Sequence, residues 1–178
     1  MTKPQDRPEF SRPEKVDAIG AAERTVEIAA DAAERAALAR RFDLLGIDRL
    51  EARFAVRRDA AGVSARGRVV ADVVQPCSVT GGPVPARVDE EAALLFVPAG
   101  AEPDGDVELD ADALDQIPYE GGAVDLGEAA AETMALALDP FPRAPDAADA
   151  LRAAGVLREE DARPLSGLAV LKDKLAGL

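Results

Sequence analysis

Two neighbouring stretches of this chain alternate apolar and polar side chains with a period of two, and only one pairing register suits both. In residues 47–57, Leu50, Ala52, Phe54 and Val56 alternate with Glu51, Arg53, Ala55 and Arg57. After the turn-forming Asp59-Ala60-Ala61-Gly62, residues 63–74 alternate again, with Val63, Ala65, Gly67, Val69, Ala71 and Val73 on one side. Pairing 57 with 64, 55 with 66 and 53 with 68 puts both apolar sets on one face. A slip of one residue would send one set into water. This predicts an antiparallel hairpin with a buried face and a solvated one.

Further elements are expected around this hairpin. Val26 and Ile28 alternate with Thr25 and Glu27 and read as a strand. Asp31 with Glu34 three residues on has the form of a capping box, opening a helix with Leu38, Phe42 and Leu45 on one face. Gly46 stands where a left-handed residue would end that helix. Pro76-Cys77-Ser78-Val79-Thr80-Gly81-Gly82-Pro83 is a reversal, and residues 84–97 return as a strand. Residues 99–124 form a Gly-, Pro- and acid-rich crossing with room for one short strand or turn. Asp125 caps a second helix with Glu128 at the capping-box position, a buried face of Leu126, Ala130, Met134, Ala137 and Leu138, and a stop at Asp139-Pro140-Phe141-Pro142.

The expected fold is α+β: an antiparallel β-meander sheet with two main helices on one side and a C-terminal amphipathic helix. Residues 1–9 are expected to be disordered, 10–142 to form a single α+β domain, and 143–178 to be a weakly helical C-terminal segment. In that last segment Leu165, Leu168, Leu171 and Leu175 fall at helical spacing, with Lys172 and Lys174 near the end.

Composition narrows the function. The 178 residues contain no histidine and one cysteine, Cys77. Serine–histidine and cysteine–histidine catalysis, histidine-ligated zinc and an internal disulfide are therefore excluded. The first ten residues lack the apolar core of a secretory signal, and no stretch approaches the roughly 18 strongly apolar residues of a membrane helix. A cytoplasmic protein without membrane contact is expected. The net charge of −13 opposes a coat of nucleic acid over the whole molecule and favours basic partners.

Three constellations can carry chemistry. Asp104, Asp106, Glu108, Asp110 and Asp112 alternate along one segment, but no starting point gives the glycine and final glutamate of an EF-hand loop, so a solvated acidic loop is the expectation. Glu128 and Glu132 lie one helical turn apart and would suit a divalent-metal-dependent hydrolase or nuclease. They lack a third converging acid. On the hairpin, Arg53, Arg57, Arg66 and Arg68 share the outward face, and guanidinium groups suit phosphate. These four are the candidate RNA- or partner-binding residues. Leu165, Leu168, Leu171 and Lys172 are a candidate partner-docking tail.

Three blocks in order resemble the YceD family, over roughly residues 45–175. They are the Cys77–Pro83 turn followed by a strand ending Phe96-Val97-Pro98; Asp125-Leu126-Gly127-Glu128 continuing through Glu132 to Leu138-Asp139-Pro140-Phe141-Pro142; and Pro164-Leu165-Ser166-Gly167-Leu168-Ala169-Val170-Leu171-Lys172. Cys77, Pro83, Asp125, Glu132 and Pro140 represent this signature. The resemblance implies a bacterial or organellar factor supporting accumulation of large-subunit ribosomal RNA, with no known enzymatic activity. The implied partner is a precursor of the large ribosomal subunit, met through a basic ribosomal protein, its RNA, or both. Many members of that family carry Cys-x-x-Cys at the central turn, suggesting zinc. Here Thr80 takes the second place and no later cysteine exists, so no metal or other cofactor is expected, and the turn should hold by Gly and Pro geometry.

Overall fold

A computed structural model describes residues 8–100 and 114–156. The acidic run 104–112 and the leucine tail, with Leu165, Leu168, Leu171 and Lys172, lie outside the described residues. The elements are β1 (Pro13–Lys15), β2 (Arg24–Ala29), α1 (Ala32–Arg41), β3 (Gly46–Arg58), β4 (Val63–Pro76), β5 (Pro83–Pro98), β6 (Asp115–Tyr119), β7 (Ala123–Asp125), α2 (Leu126–Leu136) and α3 (Ala147–Ala153).

The alternating segments form the expected hairpin in the expected register. Arg53 faces Arg68, Ala55 faces Arg66 and Arg57 faces Ser64. Leu50, Ala52, Phe54 and Val56 of β3 and Val63, Ala65, Val69, Ala71 and Val73 of β4 are buried on the inner face. Phe54, fully enclosed, contributes about 1.5–3 kcal/mol by leaving water. The two strands approach closely at Gly67, which lies opposite Phe54: a Cβ there would stand 1.9 Å from the Arg53 carbonyl oxygen.

The sheet is wider than a three-stranded meander, and it is mixed. Its order is β2-β3-β4-β5-β6. β2 joins antiparallel at one edge, whereas β6 runs parallel to β5 at the other. A parallel partner needs a crossing long enough to carry the chain back along β5, and the segment after Pro98 supplies it. β6 is five residues long and contains Pro118. β1 and β7 form a separate antiparallel pair.

Both main helices pack into one core with the inner face of the sheet. In α1, Asp31 and Glu34 form the full capping box, each side chain accepting from the other's backbone N–H. The helix ends earlier than Gly46. Asp43 takes the left-handed conformation (φ 53°), and Gly46 begins β3. Leu45 is consequently 55 % exposed instead of buried, its backbone N–H donating to the Val74 carbonyl.

In α2, Asp125 accepts from the N–H groups of Gly127 and Glu128 at 3.0 and 3.2 Å. It also accepts from Arg12 N–H at 2.7 Å and the Ser11 hydroxyl at 2.5 Å, so one carboxylate caps the helix and fastens the N-terminal segment over it. Gly127 permits that crossing, since a Cβ there would lie 2.5 Å from the Phe10 carbonyl oxygen. Leu126, Ala130 and Met134 are buried as expected; Ala137 is exposed, because α2 closes at Leu136 and the following residues leave the helical face.

Candidate functional site

The outer face of the sheet carries the arginines. Arg53, Arg57, Arg66 and Arg68 are all exposed and all on the same side. β3 and β4 thus form a basic spine, but the flanking strands bring carboxylates beside it. Across four strands one row reads Glu27, Arg53, Arg68, Glu91. Arg53 lies 3.5 Å from Glu27, Arg68 bonds Asp89, and Arg57 lies 3.8 Å from Asp59 while also donating to the Ser64 hydroxyl at 3.3 Å. The hydrogen bond from Arg68, reinforced by the charges of Arg68, Arg87 and Arg49, holds the Asp89 carboxyl below its ordinary value.

Arg66 differs. Its row reads Thr25, Ala55, Arg66, Ala93, and it makes no ion pair among the described residues. A hairpin read alone looks net basic; β2 and β5 place acids on both sides of it. Exposed pairs of this kind are weak and exchange readily with other partners.

The Cys77 turn and the segment after α2, separate blocks in sequence, meet in space. Cys77 is buried (4 % exposed), and its thiol accepts from the backbone N–H groups of Ala144 (3.2 Å), Val79 (3.4 Å) and Thr80 (3.5 Å). Ser78 N–H donates to the Pro142 carbonyl at 2.7 Å, and the buried Gln75 side chain donates to the Asp139 carbonyl at 2.9 Å. The turn is therefore held by the sulfur as much as by glycine and proline. These donors, the Ala144 N–H foremost and then the Thr80 hydroxyl and N–H, pull the thiol down to about 7. Pro83 pairs with Pro76 at the last rung of the β4–β5 ladder, and Pro140 is exposed beyond α2.

Glu128 is not the capping-box partner expected from sequence. Arg41 reaches across from α1 and grips both its carboxylate oxygens at 2.6 and 2.9 Å, while also bonding Glu9 at 3.1 Å. Glu9, within the stretch expected to be disordered, is thereby tied to both helices. Glu132, one turn on, has no such cation. Its carboxyl is raised above the ordinary value, first by loss of water and then by repulsion from Glu128. Among the described residues no group of three or more His, Cys, Asp or Glu side chains is arranged to hold a metal ion. No helix among them is long and apolar enough to cross a membrane.

Sequence reasoning missed a concavity on the helical side of the sheet. It lies between α2 and the β5–β6 edge, with Ala92, Leu94, Ile117, Ala129 and Leu136 in its walls and Glu90, Glu91, Asp115 and Glu132 around them. Its only advance signal was the isolated Ile117, which could not be placed without knowing that β6 runs alongside β5.

Together these features define an α+β domain whose mixed sheet carries helices on one face and an exposed, laterally ion-paired arginine face on the other. The chain belongs to the YceD family: the family's model, described as large ribosomal RNA subunit accumulation protein YceD, matches residues 65–173, more than half of the sequence. That description ties the family to accumulation of the large subunit's RNA. Searches among curated proteins and among solved structures found no match.

Proposed function

We propose that this chain is a ribosome-biogenesis factor that supports accumulation of large-subunit ribosomal RNA by binding, without catalysis, a basic protein of the large-subunit precursor in the cytoplasm. The observation that carries this reading, beside family membership, is the charge: the chain bears −13, and Glu90, Asp115 and Glu132 between α2 and the β5–β6 edge make no ion pair among the described residues, unlike Glu27, Glu51 and Asp89 on the outer sheet face. A basic protein meets such a surface with favourable steering.

A direct contact with precursor RNA is the second reading. The outward Arg53, Arg57, Arg66 and Arg68 favour it, Arg66 most of all because no carboxylate competes for its guanidinium among the described residues. A metal-dependent hydrolase built on Glu128 and Glu132 is disfavoured by the Arg41 clamp, which occupies both Glu128 oxygens.

The test is ribonuclease treatment of a complex purified on the full-length chain. Large-subunit proteins that stay bound after digestion are the expected result. Their complete loss transfers the contact to RNA, and absence of any large-subunit component overturns the function.

A further inference from the structure

α2 does not cover the whole inner face of the sheet. The clearest sign is Glu90, which pairs with the buried Val69 and so sits at an inward-facing position, yet is exposed. Beside it, between the sheet edge and the helix, lies a trough of about 550 Å³. Leu94 and Ala92 of β5, Ile117 of β6 and Ala129 of α2 form its floor, and Leu136, 88 % exposed, stands at one end. A smaller concavity of about 300 Å³ shares Ile117, Ala129 and Glu132 with it and extends it along α2 past Phe96, Tyr119 and Glu120.

The walls are acidic throughout. Glu90, Glu91, Asp115 and Glu132 surround the larger hollow, and no Lys or Arg lines either hollow among the described residues. Glu90, Asp115 and Glu132 take part in no ion pair among the described residues, while Glu91 reaches the rim from the outer face, where it stands beside Arg68; Glu27, Glu51 and Asp89 on that outer face each have an arginine. An apolar floor with an uncompensated anionic rim attracts apolar side chains and cations together. A solvated acidic surface would need no exposed leucine beside it, and a purely apolar groove would not be ringed by carboxylates.

We propose that this trough is the docking site for a lysine- or arginine-rich amphipathic segment of a partner protein, with aliphatic side chains on Leu94, Ile117 and Leu136 and cations on Glu90, Asp115 and Glu132. The proposal rests on the reading that the partner is a basic protein, and it adds the place and the pattern recognised. It separates the two charged surfaces of the molecule: the trough takes basic protein, and the outer sheet face is left to other contacts.

The test uses the purified full-length chain and a synthetic peptide of about 14 residues, with leucines at i, i+3, i+4 and i+7 and lysines elsewhere. Titration calorimetry is expected to show salt-sensitive binding that weakens about ten-fold in the Glu90→Lys, Glu132→Lys double variant. The Glu27→Lys, Glu51→Lys control, equal in net charge, should stay within about two-fold, and a peptide with serine for each leucine should bind at least about ten-fold more weakly than the leucine peptide. Equal weakening by both double variants, or indifference to the leucines, would reduce the effect to net charge and overturn the proposal. Binding seen only after deletion of residues 157–178 would assign the trough to the chain's own tail and overturn it too. Circular-dichroism melts of each variant establish that it is folded. Peptide binding without any large-subunit component on the purified chain would sink the proposed function and leave the trough standing; the converse would sink the trough alone.

Discussion

The guanidinium of Arg12 holds both carboxylate oxygens of Glu34, at 2.6 and 2.8 Å, so the segment before β1 is fastened to the first turn of α1. The same guanidinium stacks 4.6 Å from the centre of the Phe10 ring and donates to the Ala29 carbonyl at 2.9 Å. Glu34 already completes the α1 capping box, so one side chain serves the helix and the chain terminus together.

The hydrogen bond from Arg12 lowers the Glu34 carboxyl below its ordinary 4.5. A group whose folded-state value is depressed stabilises fully above the ordinary value and loses that contribution as pH falls through the depressed one. Arg12→Ala is therefore expected to cost about 1 kcal/mol at pH 7, since the pair is partly exposed. The gap between urea melts of the two proteins should narrow as pH falls from 4.5 through the depressed value, leaving what the Phe10 ring and the Ala29 carbonyl contribute. A gap unchanged by acid would mean that Arg12 acts through those two contacts alone.

Asp125→Ala should cost about 2–3 kcal/mol, more than an ordinary cap, because four donors lose one acceptor. Asp125→Asn keeps one oxygen acceptor and should recover roughly half. Thermal melts of the three proteins check the order.

At Gly67 an added methyl meets backbone, which has nowhere to move without separating β3 from β4. Gly67→Ala is expected to destabilise by at least about 2 kcal/mol. Gly46→Ala, with nothing within 4 Å of the new atom, should stay within about 0.5 kcal/mol. Paired denaturant curves distinguish them.

Cys77 is held near 7 by backbone donors, below the ordinary 9.0 for a thiol. The stabilisation from its thiolate is complete above the ordinary value and lost as pH falls through 7. The stability gap between wild type and Cys77→Ala should therefore widen as pH rises from 6.5 to 9, that is, roughly across the window set by those two values. Urea melts across that range measure it, and a flat gap would leave the sulfur a simple packing group.

On the outer face, Arg66→Glu should weaken association with large-subunit particles more than Arg53→Glu. Arg66 has no acid beside it in its row, whereas Arg53 already shares its charge with Glu27. Both should change stability by less than about 0.5 kcal/mol, being exposed. Co-sedimentation reads the first effect and melting the second; unaltered co-sedimentation of the Arg66 variant removes the RNA reading.

The hairpin was legible in the sequence because a two-residue period leaves one register that buries both apolar sets, and Phe54, Val56, Val63 and Ala65 obey it without exception. The α1 cap was legible for a similar reason: Asp31 and Glu34 act within one turn. What failed was non-local. Gly46 was a plausible stop, but Asp43 tolerates the left-handed conformation and turns the chain three residues sooner. Glu128 had the spacing of a capping-box residue, yet Arg41, remote in sequence, takes both its oxygens. The position of β6 depends on a crossing whose composition carries no period, so neither the mixed sheet nor the trough beside it could be written down in advance. The arginines faced outward as their alternation required, but the acids that meet Arg53 and Arg68, Glu27 and Asp89, belong to other strands.

The short strand at the sheet's margin has an effect on assembly. The Tyr119 carbonyl receives the Ala99 N–H, which turns the backbone groups of the odd-numbered residues of β6 toward β5 and leaves those of Gln116 and Pro118 on the side that is unpaired among the described residues. Proline has no amide hydrogen to offer there, so an incoming strand would find one donor, Gln116, where an ordinary edge of this length presents two. Lateral growth of the sheet, copy upon copy, is discouraged on that border by a single ring closure.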